Sequence, residues 1–213
     1  PDAIVTSAGY AGTGADVVDD LRQYVYADGK RALDFVDLLN VHYYSGHQPP
    51  ETAVKDGNAG TAGALPFPGK LRELDAWRKQ HAPDMPIWMT ETGYDSAGPF
   101  GTTEAMQAAR LPRVVMLCLA FGVDKVFVYR EAGSTPSKHA ASGLLRNDYT
   151  PKPSWYSFGT LVRQLHGAEG GARRLPHPDE RVWLLEWNAA GEPVVTAWVV
   201  DGETELGGDF GAC

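Results

Sequence analysis

Four short, apolar, β-branched runs, separated by segments with helical spacing, constrain this chain more than any other feature. The runs occupy residues 3–7, 36–44, 86–91 and 125–129. Near-continuous apolar strands that alternate with amphipathic helices build a parallel sheet covered by helices. Val17, Val18, Leu21 and Val25 share one helical face after Asp16, with Gly29 as the stop. Leu71, Leu74 and Trp77 mark a second helix that ends near His81, ahead of Pro83. The third spans residues 103–121, with Thr103 as N-cap, Glu104 in the first turn, Pro112 inside and Gly122 as the terminating glycine. The fourth starts at Pro153, runs through Trp155, Phe158, Leu161, Val162 and Leu165, and stops at Gly167. Strand starts recur at roughly 35–50 residues, as in barrel units with long loops, and a closed barrel takes about eight such units. The expectation is an α/β fold that is half of a (β/α)8 TIM barrel over residues 1–167.

After Gly167 the character changes. Residues 168–181 are rich in Gly, Pro, Arg and Glu. Residues 181–187 and 193–200 then alternate as two strands of a hairpin around 188–192. Residues 168–213 are therefore expected to form a small β appendage belonging to a C-terminal β-sandwich. An acidic balance, net charge −8 and pI about 5.2, argues against a nucleic-acid or anionic-membrane surface. No apolar run has the length of a membrane span. Cys118 sits in an apolar run and reads as a small buried hydrophobe, while Cys213 is the last residue. No Cys/His pattern suggests zinc, and no cofactor is expected. The chain starts at Pro1 without a signal-peptide pattern, so a processed or truncated start is expected and localisation is not legible.

Barrel enzymes carry their active sites at the C-terminal ends of the strands. The third run places Glu91 there, and a carboxylate terminating an apolar strand is costly without a purpose. Strict alternation puts Met89 and Ile87 on the side of Glu91, with Trp88 and Thr90 towards the helices. In the second run Asn40, His42 and Tyr44 share parity and line the interior together. A His and a Tyr beside a carboxylate can hold it and contact a sugar hydroxyl. Tyr129 ends the fourth run, where an aromatic face suits the apolar face of a sugar ring. Glu131, in the loop beyond, is a weaker second carboxylate. Asp95 reads as a turn-shaping residue and His47 as solvated. The Gly-, Ala- and Pro-rich loop over residues 45–68 is where a barrel enzyme would select substrate.

The run Val-Asp-Leu-Leu-Asn-Val-His42-Tyr-Tyr44, followed by Pro-Ile-Trp-Met-Thr-Glu91-Thr-Gly-Tyr, resembles strands six and seven of clan A glycoside hydrolases. The stretch from Gln107 through Gly122-Val-Asp-Lys-Val to Gly143-Leu-Leu-Arg-Asn-Asp-Tyr-Thr-Pro-Lys-Pro-Ser-Trp-Tyr resembles their helix seven, strand eight and the entry to helix eight. The resemblance implies a retaining β-glycosidase with Glu91 as nucleophile, His42 and Tyr44 as its supports, and residues 1–167 as strands five to eight. It also implies that the acid/base, a Glu after an Asn at the end of strand four, lies outside this sequence. No Asn-Glu dipeptide occurs here, and Tyr129-Arg130 stands where the clan often has a Trp. A half barrel has two open sheet edges. The expected partners are therefore a carbohydrate substrate and either a missing N-terminal half barrel or a second copy. Two rivals remain: a non-catalytic carbohydrate-binding or degenerate barrel protein, and a metal-dependent hydrolase using His42, Glu91 and His139.

Overall fold

A computed structural model describes residues 3–52, 65–99, 101–137, 139–168 and 170–202. It divides into two compact units, Pro1–Gln164 and Leu165–Cys213. The first holds a parallel sheet of β1 (Leu39–Tyr43), β2 (Ile87–Thr92) and β3 (Lys125–Val128), in that order. Around it lie α1 (Ala15–Gln23), α2 (Phe67–His81), α3 (Glu104–Ala120) and α4 (Pro153–Gln164).

The first apolar run does not become a strand. Thr6 and Tyr10 make isolated parallel bridges to Leu38 and Val41. Between them the Ser7 hydroxyl, not a backbone carbonyl, accepts from the Asn40 N–H at 2.8 Å, so the ladder is interrupted. Helix α1 buries Val18 and Leu21 but ends at Gln23, before Val25. Val25 instead pairs with Arg31 in a short antiparallel bridge, closed by a turn in which Gly29 has φ +84°. Gly29 is thus a turn residue, not the helix stop expected from the sequence.

The other helices follow from capping and spacing. Pro66 and Pro68 flank the start of α2, where a missing N–H costs nothing, and Phe67, Leu71, Leu74 and Trp77 face inward. Trp77 donates from Nε1 to Asp19 at 2.7 Å and so ties α2 to α1. In α3 the Thr103 hydroxyl accepts from the Met106 N–H at 3.1 Å. Leu111, Val114, Leu117 and Cys118 are fully buried, and Gly122, at φ +88°, turns the chain away into β3. Burial raises the pKa of the Cys118 thiol, which leaves it an inert hydrophobe. In α4 only part of the expected apolar face is buried. Trp155 and Val162 are exposed, whereas Ser154 and Leu161 are buried. The reason is a polar seam: Ser154 donates to the Gln107 side chain at 2.9 Å and Ser157 to the Ala108 carbonyl at 2.8 Å, so small residues bring α4 onto α3.

The second unit is an antiparallel sheet of β4 (Arg173–Leu175), β5 (Val182–Ala189) and β6 (Glu192–Val199). Ala190 and Gly191, at φ +52° and +89°, form the two-residue turn between β5 and β6. Trp183 and Trp198 stack as a cross-strand pair, with ring centroids 5.8 Å apart, and the Arg174 guanidinium lies over Trp183. Strand β4 falls in a stretch whose sequence carries no strand pattern. No helix among the described residues is long and apolar enough to cross a membrane.

Candidate active site

The parallel sheet has a helix-covered face and a face left accessible. Leu39, Val41, Tyr43, Ile87 and Met89 are buried on the first. Asn40, Trp88 and Phe127 belong to the second, where Trp88 and Phe127 touch across β2 and β3. At the C-terminal end of β2 this alternation breaks. Val41 pairs with Met89, but His42 pairs with Glu91, so Thr90 is an extra residue in the ladder. The same irregularity appears against β3, where Met89 faces Val126 and Thr92 already faces Val128. Such a bulge re-aims a side chain. Here it turns Thr90 and Glu91 to one side, while Thr92 returns to the buried face and donates to the Tyr43 carbonyl at 2.9 Å. Glu91 therefore does not share a face with Met89 and Ile87, as strict alternation requires, and Thr90 does not face the helices.

The two oxygens of the Glu91 carboxylate have different neighbours. Tyr44 donates its hydroxyl to Oε1 at 2.6 Å. His42 presents Nδ1 to Oε2 at 3.6 Å, beyond hydrogen-bond range. About a third of the Glu91 side chain, 32%, is exposed, so a ligand can reach it. Burial, followed by the hydrogen bond to Glu91 and its charge, pushes the Tyr44 phenol far above the ordinary tyrosine range. Tyr44 is thus a neutral donor at any working pH. Behind His42, the ring Nε2 lies 3.0 Å from the Thr90 hydroxyl, which in turn donates to the Asn40 side-chain oxygen. Gly9 closes the other side of the ring: a Cβ there would stand 2.7 Å from His42 Nε2.

Tyr129 follows β3 directly, and its N–H donates to the Thr92 carbonyl at 2.7 Å. Its phenol is near enough to Tyr44 to contribute to that residue's raised pKa. Gly93 permits this approach, because a Cβ there would meet the Tyr129 carbonyl at 2.3 Å. Asp95 is buried, and its carboxylate accepts from the His139 N–H at 2.8 Å, the Ala141 N–H at 3.3 Å and the Ser142 hydroxyl at 2.6 Å. The loop so held sets the His139 ring 4.3 Å from that of Tyr44, with the His139 backbone at φ +60°. Buried Lys152 props the same loop by donating to the carbonyls of Gly133 and Ala141 at 2.6 and 3.0 Å. Glu131 and His47 are exposed. Residues 53–64 of the long loop, and Cys213, lie outside the described residues. Among the described residues no group of three or more His, Cys, Asp or Glu could hold a metal ion.

His42, Tyr44 and Glu91 are thus brought together, with Tyr129 beside them. Sequence reasoning missed Thr90, since nothing in the residue types signals the bulge. It also missed Gly9 and Lys152, whose roles depend on long-range contacts.

No family model and no curated protein matches the sequence. Solved structures are. The chain is similar to a family 39 glycoside hydrolase from the gut symbiont Bacteroides cellulosilyticus, with TM-score 0.66 and 24% identity over 80% of this chain. It is also similar to SrfJ from Salmonella typhimurium, with TM-score 0.57 and 13% identity over 91% of this chain. The match spans 35% and 39% of those two chains, well under half of either. At these identities the likeness establishes the fold: the chain has an α/β fold shared with part of a glycoside hydrolase.

Proposed function

We propose that the full-length protein is a retaining glycoside hydrolase acting on β-linked glycosides or polysaccharides, with Glu91 as its nucleophile. The observation that carries this reading is the solvent-accessible Glu91 carboxylate at the end of a central parallel strand, held through Oε1 by the neutral Tyr44 hydroxyl at 2.6 Å. The fold shared with a glycoside hydrolase supports it. In the proposed reaction a Glu91 oxygen attacks the anomeric carbon as the glycosidic C–O bond breaks, giving an α-linked glycosyl ester. The departing oxygen takes a proton from a second carboxylic acid about 5–5.5 Å away. That group, now a carboxylate, removes a proton from water, which displaces Glu91 and restores the β configuration. His42 and Tyr44 position the nucleophile and meet substrate hydroxyls, and Tyr129 offers a face to the sugar. The acid/base is proposed to lie outside these 213 residues. It would come from an N-terminal half barrel that meets the open sheet edges.

Chemical rescue tests the assignment without needing the acid/base. A 2,4-dinitrophenyl β-glycoside has a leaving group that departs unprotonated. The Glu91→Ala variant, given such glycosides with azide, should form the α-glycosyl azide, because azide enters from the face the carboxylate vacated. A β-glycosyl azide, or no azide product from any sugar in a panel on which the unsubstituted protein acts, would reject Glu91 as nucleophile. The absence of an Asn-Glu dipeptide supports one competing reading, a non-catalytic carbohydrate-binding protein. Its signature is sugar binding that survives Glu91→Ala, with no turnover before or after the substitution.

A further inference from the structure

The side chains behind Glu91 form a chain in which protons can be counted. The Thr90 hydroxyl has one proton and gives it to the Asn40 side-chain oxygen. Its oxygen can then only accept from His42 Nε2, 3.0 Å away. We infer that Asn40 and Thr90 lock His42 in the Nε2–H tautomer, so that neutral imidazole turns a lone pair, not a proton, towards Glu91 Oε2. This inference rests on the glycosidase reading for its purpose, but not for its geometry.

The consequence is a division of labour within one carboxylate. Oε1 is committed to the Tyr44 hydroxyl at 2.6 Å, which fixes the rotation of the group. Oε2 faces His42 Nδ1 at 3.6 Å, too far for a hydrogen bond and opposed by a lone pair. With no donor from His42, Oε2 keeps its full electron density and is the oxygen that attacks. The other tautomer would place an N–H on Nδ1, aimed at the nucleophilic oxygen, and a small shift of the carboxylate towards it would close a hydrogen bond that attack would then have to break. Space on the far side of the ring is limited. Gly9 packs against it so closely that a single Cβ would stand 2.7 Å from Nε2. The bulge in β2 supplies the fourth part of the device, because without the extra residue Thr90 and Glu91 could not both face His42. Asn40 and Thr90 are therefore positioning residues, acting on the nucleophile through His42.

The tautomer is directly observable by long-range nitrogen–proton correlation NMR of the imidazoles at a pH where His42 is neutral, with the His42→Gln variant assigning the signals. The protein should show His42 protonated on Nε2 and bare on Nδ1. Thr90→Ser and Asn40→Asp should keep that pattern, since Ser retains the hydroxyl and a carboxylate can only accept. Thr90→Val, close in shape but without the hydroxyl, should lose it and populate Nδ1–H. It should also slow glycosylation of Glu91 by an activated glycoside about tenfold, the scale of one hydrogen bond to a charged group. A His42 protonated on Nδ1 in the unsubstituted protein would overturn the inference outright. So would a Thr90→Val variant, folded by amide NMR, whose His42 pattern is unchanged. The failure of Glu91 to react with any activated glycoside would instead count against the glycosidase reading and leave the tautomer measurement standing.

Discussion

At the scale of single residues, the site depends on which groups donate to Glu91 and which do not. Tyr44 is the donor, and its burial keeps the phenol protonated. Tyr44→Phe removes the hydrogen bond without changing the volume of the ring. We predict that glycosylation of Glu91 by an activated glycoside slows by about tenfold to a hundredfold, on the order of 1.5–3 kcal/mol for a bond to a charged group. Thermal stability should move little; a stopped assay of dinitrophenol release, beside a melting curve, checks both. Gly9→Ala acts on the same site from behind, since its Cβ would stand 2.7 Å from the His42 ring. It should lower reactivity by displacing the ring, with a smaller loss of stability because Gly9 is exposed. The grouping of Asn40, His42 and Tyr44 was legible because period-two alternation holds along β1. The company Glu91 keeps along β2 was not, because one extra residue at Thr90 puts Met89 and Ile87 on the opposite face and leaves no mark on composition.

At the scale of elements, helix signals with a local cause were readable. Thr103 caps α3 as its side chain and spacing suggest, and Gly122 ends it in the left-handed conformation. Thr103→Ala should cost about 1 kcal/mol in urea unfolding, the usual value of an N-cap. Signals that depend on distant partners were misread. Gly29 resembles a helix stop, but a hairpin between Val25 and Arg31 claims it. The first apolar run lacks a ladder because the Ser7 side chain occupies the Asn40 N–H. Trp155 and Val162 of α4 point outward because Ser154 and Ser157 make hydrogen-bonded contacts with α3. The pair between Arg113, on α3, and Glu51, after β1, belongs with these. Both side chains are nearly buried, at 9% and 3% exposure, and nothing in the sequence links them. Glu51→Ala leaves a buried guanidinium without its charge partner, so a loss of about 3–5 kcal/mol is expected in the same unfolding assay.

At the scale of the whole molecule, the alternation of β1, α2, β2, α3, β3 and α4 was the most legible property, because hydrophobic periodicity is set by burial on each element. Titration provides a global check. Burial raises the pKa of Tyr44 and Tyr94 well above the unfolded value near 10. A group raised in the folded state stabilises below its unfolded pKa and loses that contribution as pH climbs. Unfolding midpoints in urea should therefore hold to about pH 9 and fall above about pH 10. A midpoint that stays flat through that range would contradict the burial of these phenols. The accessible face of the sheet bears on the proposed partner: Phe127, together with Ile4 and Val5 in the segment beside β1, is largely exposed. If an N-terminal half barrel completes the site, joining it should raise turnover of unactivated β-glycosides above that of the 213 residues alone. The role of the Glu91 carboxylate can be tested on this chain alone. A panel of 2,4-dinitrophenyl 2-deoxy-2-fluoro-β-glycosides forms glycosyl esters with retaining nucleophiles and traps them. Peptide mapping by mass spectrometry should find one added fluorosugar, on the peptide containing Glu91, and none after Glu91→Gln. A label on Glu131 or any other carboxylate, with Glu91 unmodified, would contradict the account.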